Sequence, residues 1–348
     1  MSAPVRPVRL GLVGYSVGGR LFHAPFVAAA DGIEVAGVVT RDPQRRKQAE
    51  ADCPGVAVFD SLADMLAHGD VDAVTVTTPP QTRRALVLEA IAAGKHVVAD
   101  KPFAPDAAGG QELADAATRA GVLLNVFHNR RWDADVLTLK GLLEDGRLGD
   151  LWRVHSRFDL DQPGLLEAGP TGGLLRDLGA HVIDQMAWLL GPVRTVDAHL
   201  DLVELPEGET DAGFVVQLRH TSGAVSVVES SKLNHLDARE LRAYGSLGSF
   251  RHTGIDVQGH ALFAGLRPVD DPDGWGRAES GGILATADGE VEVPSAQGGY
   301  QQFYSGFAAA IRDGGEGPSP ARAAVATLAI LDAARRSADL DASVRVDA

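Results

Sequence analysis

Short apolar runs alternate with helical stretches through the first 126 residues, and few architectures accept that rhythm. The runs are residues 8–13, 33–40, 56–59, 73–78, 96–99 and 122–126. Helical stretches fall at residues 20–30, from Pro43, at 62–67, at 83–93 and near 106–120. A strand buried on both faces reads as a continuous apolar run. Repeated βα units wind right-handed into a parallel, doubly wound sheet. An α/β fold of the Rossmann kind is therefore expected here, with ligands bound outside the carboxyl ends of its strands.

Those strand ends carry residues suited to a dinucleotide. After the first run comes Gly14-x-Ser16-x-x-Gly19, with serine in place of the glycine that lets a backbone approach the pyrophosphate. The serine takes some of that room and adds a hydroxyl donor. After the second run stand Thr40 and Arg41, where a cofactor with a free ribose 2′-hydroxyl wants an acid. A hydroxyl beside a guanidinium suits a 2′-phosphate, so NADP is expected over NAD, with NAD still possible. Asp42, one residue later, either reaches the ribose and favours NAD, or caps the helix beginning at Pro43. Thr77-Thr78-Pro79-Pro80 ends the fourth run, which places Thr78 and Pro79 on a cofactor-facing loop. The fifth run ends at Asp100-Lys101-Pro102. Proline disfavours helix at the residue before it, so the Lys101 ammonium is presented at the end of a strand. The Lys101–Pro102 bond is a candidate for cis, since such a bond marks a tight functional turn.

A chain of 348 residues exceeds one ordinary core and fits two domains, drawn at residues 1–126 and 127–348. A formal charge of −15, with basic residues scattered, argues against a nucleic-acid or anionic-membrane partner. The single cysteine, Cys53, cannot form an internal disulfide and suits a reducing compartment. With no signal-type segment and no apolar run of spanning length, a cytoplasmic protein is expected.

Beyond Trp132 the pattern changes to one helix, residues 134–145, and then to long alternating runs. Residues 151–160, 195–204, 213–219, 223–231 and 240–244 alternate as half-buried strands do, which predicts an α+β domain with a large, mostly antiparallel sheet. Residues 174–190 read as a helix stopped by Gly191-Pro192. On one of its faces Asp177, His181 and Asp184 recur at spacings of four and three, so an α-helix would stack them. An acid beside a histidine is either a general base with its orienter or part of a solvated polar face. Two carboxylates and a histidine without further ligand spacing do not indicate a metal. Asn129 and Arg131, just past the last strand of the first domain, are substrate or nicotinamide contacts or else hinge hydrogen bonds. Trp275, in a loop of Asp, Pro and Gly, covers a sugar ring or plugs the core.

Taken together, GYSVGG, GRLFHAPF, TTPP, AGKHVVADKP, VFHNRRWD, DLGAHVIDQ and PDGWG resemble the glucose–fructose oxidoreductase/inositol dehydrogenase (Gfo/Idh/MocA) family. The combination is most similar to NADP-linked scyllo-inositol dehydrogenase-like members. Three departures stand out: Ser16 for glycine, Asp100 where Glu is usual, and Arg83 where His is common. The resemblance implies hydride transfer between a secondary alcohol of a cyclic polyol or sugar and a nicotinamide. It implies His181 as base, Asp177 as its orienter and Lys101 as the group that stabilises the alkoxide. Asp184 is implied as a substrate contact, and the C-terminal sheet as the surface of a homodimer or homotetramer. Two other functions fit the same family: a non-catalytic dinucleotide-binding regulator, and a redox-neutral NAD-dependent enzyme that processes glycosides.

Overall fold

A computed structural model describes residues 6–169 and 172–347. The chain forms two compact units, each assembled from separate segments. The first comprises Met1–Asn129, Ala261–Asp273 and Tyr300–Val325; the second comprises Arg130–His260, Gly274–Gly299 and Ala326–Ala348.

In the first unit β1 (Val8–Val13) leads through a glycine turn and a π-helical turn, Gly18–His23, into α1 (Ala24–Ala28). β2 (Ile33–Val39), α2 (Pro43–Asp52), β3 (Ala57–Phe59) and α3 (Leu62–His68) follow. β4 (Ala73–Val76), α4 (Pro80–Ala92), β5 (His96–Ala99), α5 (Ala107–Ala120) and β6 (Leu124–Val126) complete the series. The six strands lie parallel in the order β3-β2-β1-β4-β5-β6. The order reverses between β1 and β4, and the crevice outside that point is where open α/β sheets bind ligands. Leu10, Leu12, Val38, Val74, Val76, Val97 and Val98 are fully buried, the outcome the continuous apolar runs demand. Each such burial contributes roughly 1.5–3 kcal/mol.

In the second unit α6 (Ala134–Glu144) precedes β7 (Leu151–Asp159) and α7 (Ala180–Leu190). β8 (Val193–Leu205), β9 (Gly208–His220), β10 (Val225–Ser231), β11 (Ala238–Gly245) and β12 (Gly248–Gly254) come next. Along the chain then follow α8 (Val257–Phe263), β13 (Ile283–Thr286), β14 (Gly289–Glu292), α9 (Gln301–Asp313), α10 (Ala321–Leu340) and β15 (Val344–Arg345), of which the three strands lie in this unit and α8 and α10 are divided between the two. Nine strands form one sheet, ordered β14-β13-β12-β11-β7-β10-β9-β8-β15. Among the described residues of this sheet only β7 and β10 pair in parallel; the other pairs are antiparallel. Strict alternation of burial along β10 shows a sheet with one packed face, as its sequence pattern predicts. A buried charge cluster pins this unit: Arg239 lies 2.8 Å from Asp135 and 3.1 Å from Asp133, and Arg130 lies 2.7 Å from Asp256.

α9 belongs to the first unit. There its Phe303 packs edge-on against Phe127 (5.0 Å between centroids), and Tyr300, just before it, packs against Phe26 (5.2 Å). Among the described residues no helix is long and apolar enough to cross a membrane.

Candidate active site

The turn after β1 admits only glycine at two of its positions. Gly14 has φ +104°, and a Cβ there would stand 2.8 Å from Thr77 Oγ1. A Cβ on Gly19 would stand 2.2 Å from the carbonyl oxygen of Gly14. Ser16, the departure from the glycine pattern, is half-buried, and its carbonyl accepts the Arg20 amide at 2.9 Å. A cavity of 820 Å³ opens beside this turn, and Gly14, Thr40, Arg41, Arg45 and Thr78 are among its lining residues.

At the end of β2 Asp42 lines the same cavity. Its Oδ1 accepts the amides of Gln44 at 2.8 Å and Arg45 at 3.2 Å, which makes it the N-cap of α2. Those amides, Arg45 first, hold its carboxyl below the ordinary range. Thr40 is buried, while Arg41 is exposed, its Nε donating to the Asp60 carbonyl at 3.1 Å. At the end of β4 the Thr78 hydroxyl is buried and makes no hydrogen bond among the described residues, and exposed Pro79 opens α4. A turn with no room for a Cβ, an unpartnered hydroxyl on the wall and two guanidinium groups at one rim together fit an anionic dinucleotide.

At the end of β5 the Lys101–Pro102 peptide is cis, as the sequence suggests, and the Lys101 amide donates to Asp100 Oδ1 at 2.8 Å. A buried polar chain reaches the neighbouring Asp100. Thr75 Oγ1 lies 3.2 Å from the Tyr304 hydroxyl, which lies 2.6 Å from His23 Nδ1; His23 Nε2 faces Asp100 Oδ2 at 3.6 Å. Burial pushes the Asp100 carboxyl up, but His23, Arg83 and Lys101 beside it prevail and hold it down to about 2. His23 was legible only as a histidine in GRLFHAPF, and Tyr304 lies 281 residues away from it.

In the second unit the helix expected over residues 174–190 is not α-helical throughout. Leu175–Gly179 is a π-helix, and α7 begins only at Ala180. The Leu175 amide donates to Asp211 Oδ2 at 2.5 Å, a tertiary partner that no local pattern announces. Because i→i+5 bonding widens the turn, Asp177 does not share an uninterrupted α-helical face with His181 and Asp184. Asp177 Oδ2 sits 3.0 Å from Lys232 Nζ, and that lysine is buried (4 % exposed) although nothing in its sequence context marks it. His181 is buried on the first turn of α7.

Asp184 and Arg131 meet in a bidentate pair, Nε to Oδ2 and Nη2 to Oδ1 both at 2.7 Å, with Thr327 Oγ1 donating to Asp184 Oδ1 at 3.3 Å. Trp275 is buried, and its indole N–H donates to Gln258 Oε1 at 3.0 Å. Asn129 is buried where the first unit ends. Among the described residues no group of three or more His, Cys, Asp or Glu is arranged to hold a metal ion.

Comparison with known proteins agrees with this architecture. Residues 8–128 match the model of an oxidoreductase family with an NAD-binding Rossmann fold, and residues 136–251 match the GFO/IDH/MocA C-terminal domain. The oxidoreductase YdgJ of Escherichia coli is 33% identical over 341 residues, covering 95% of this chain and 96% of its own. The scyllo-inositol 2-dehydrogenase (NADP(+)) IolW of Bacillus subtilis is 31% identical over 342 residues, covering 96% of this chain and 94% of its own. The solved structure of the oxidoreductase yvaA from Bacillus subtilis superposes with a TM-score of 0.89 at 30% identity, covering 99% of this chain and 100% of that one.

Proposed function

The chain belongs to the Gfo/Idh/MocA oxidoreductase family, and from that premise we propose that it is an NADP-dependent dehydrogenase of a secondary alcohol on a cyclic polyol or sugar. The observation that carries the cofactor choice is the commitment of Asp42 to the cap of α2. Asp42, Asp60 and Glu89 line the cavity too, but with one oxygen of Asp42 held by two helix amides, the donors of Thr40, Arg41 and Arg45 suit a 2′-phosphate. Gly14, Ser16 and Gly19 would hold the pyrophosphate, and Thr78 and Pro79 the adjoining part of the dinucleotide. The inositol-like substrate class is supported by the 31% identical Bacillus subtilis relative, whose name gives scyllo-inositol and NADP.

When bound, the dinucleotide supplies the hydride acceptor. In this proposal the His181 imidazole takes the proton from the substrate hydroxyl, and the negative charge that develops on the oxygen goes into forming the C=O bond as the hydride leaves the carbinol carbon. Lys101 donates a hydrogen bond to that oxygen and stabilises it most where the charge is greatest. Asp177 holds the protonated form of His181 electrostatically, with Lys232 fixing the carboxylate. Asn129, Trp275 and the Arg131–Asp184 pair shape the substrate side. The strands β8 and β9 leave Leu202 and Val215 exposed, and a homodimer or homotetramer through this sheet completes the proposal. A screen of cyclitols and aldoses with NADP and with NAD, read as reduced-nicotinamide absorbance, tests the substrate class and the cofactor choice together.

A further inference from the structure

We infer that Arg83 is a positioning residue that ties the loop after β4 to the lysine loop after β5, so that filling the nucleotide cavity also steadies Lys101. The inference rests on the dehydrogenase reading given above. Arg83 lies in the first turns of α4, and its side chain is almost wholly buried (4 % exposed). Its Nη2 donates to the Thr78 carbonyl at 2.7 Å, and its Nη1 donates to the Pro102 carbonyl. Thr78, Gln81 and Thr82 line the nucleotide cavity, while Pro102 directly follows Lys101. One rigid group therefore holds both loops by their backbones.

The chemistry of the link is specific. A guanidinium presents its donors in a fixed planar fork, whereas an ammonium is a flexible point charge that fixes no angle between two acceptors. A buried cation costs free energy unless it is paired or hydrogen-bonded. Here the hydrogen bonds go to two neutral carbonyls, and burial pulls the guanidinium pKa down while the nearby Asp100 carboxylate raises it. Asp100 offsets part of the cost of burying the charge, but the fork's hydrogen bonds go to the two carbonyls, so charge compensation alone does not explain where it points. Holding two loop carbonyls in register does, because a displacement of the Lys101 backbone carries the ammonium away from the reacting oxygen.

The test uses the full chain and reads backbone hydrogen exchange by mass spectrometry with and without saturating NADP. In the parent protein NADP should slow exchange in residues 78–83 and also in residues 99–104. In Arg83→Gln and Arg83→Lys the first segment should still be protected, and the second should exchange as it does without cofactor. The kcat of both variants should fall by about 10²-fold, the scale of a 1 Å misplacement, with NADP affinity little changed. Arg83→Lys separates a fork from a mere charge, and Arg83→Gln keeps a donor in place should the charged variant fail to fold. Protection of residues 99–104 that persists in a folded variant, or full recovery with lysine, overturns the inference. So does an absence of protection in both segments of the parent. If the parent oxidises no polyol, the dehydrogenase reading fails, while the exchange pattern still decides whether Arg83 links the loops.

Discussion

Asp42 Oδ1 accepts the backbone amide of Arg45 at 3.2 Å, a bond that caps the start of α2 beside the cavity. In the proposed NADP reading, discrimination lies with the cations beside that cap. Arg41→Ala and Arg45→Ala should each weaken NADP by roughly 1.5–3 kcal/mol, the worth of a hydrogen bond to a charged group, and leave NAD nearly unchanged. Asp42→Ala should cost about 1 kcal/mol of stability through the lost cap, without reversing the preference. Measuring kcat/KM for both cofactors, with thermal denaturation alongside, checks both expectations.

Removing the proposed base should leave binding and take away chemistry. His181→Ala is expected to lower kcat by about 10²–10⁴-fold, the usual worth of a positioned acid–base group. Dinucleotide affinity, followed by fluorescence titration, should hardly move. Near-parental turnover in this variant would remove His181 from the mechanism.

Lys101 is proposed to act mainly in the transition state. Lys101→Met should therefore depress kcat and kcat/KM together. An increase confined to KM would make the lysine a ground-state anchor. Steady-state kinetics with the substrate varied at saturating cofactor separates the two.

Asp100 makes acid stability a further test. Its folded carboxyl is held at about 2, below the ordinary aspartate value of about 3.9. Its stabilising contribution is thus complete above the ordinary value and is lost as pH falls toward the folded one. A difference of about two units corresponds to roughly 2–3 kcal/mol at neutral pH, an order-of-magnitude figure for a side chain that is 20 % exposed. Asp100→Asn should be less stable than the parent at neutral pH, and the gap should close between about pH 4 and pH 2. Urea unfolding across that range shows whether it does.

Much of the first unit was legible because its signals are local. Continuous apolar runs ended in glycine, proline or capping residues, and β5 falls on the residues the pattern marks. The strand ends that line the cavity follow from the same reading, since Gly14, Thr40, Arg41 and Thr78 are all among its lining residues. Tertiary partners were not legible. The π-turn at Leu175–Gly179 accompanies a bond from Leu175 to Asp211, 36 residues away, and α-helical spacing does not foresee it. Arg131, legible as a substrate or nicotinamide contact or a hinge bond, and Asp184, legible as a substrate contact, share two hydrogen bonds across 53 residues of chain that neither local pattern announces. Residues 261–273 and 300–325 return to the first unit by packing that a linear reading does not show, as with Tyr304 against His23.

The central claim is hydride transfer from a carbinol carbon of a cyclic polyol to NADP, and initial-rate kinetics of the purified chain test it most directly. Cyclitols and aldoses are offered with NADP and with NAD, and reduced nicotinamide is followed alongside the ketone product. The account predicts equal amounts of reduced cofactor and ketone from at least one cyclic polyol. It also predicts a kcat/KM for NADP about tenfold or more above that for NAD, the effect of a phosphate clamp contributing about 1.4 kcal/mol or more. Dinucleotide binding without reduction by any cyclitol or aldose, or a preference for NAD, would contradict it.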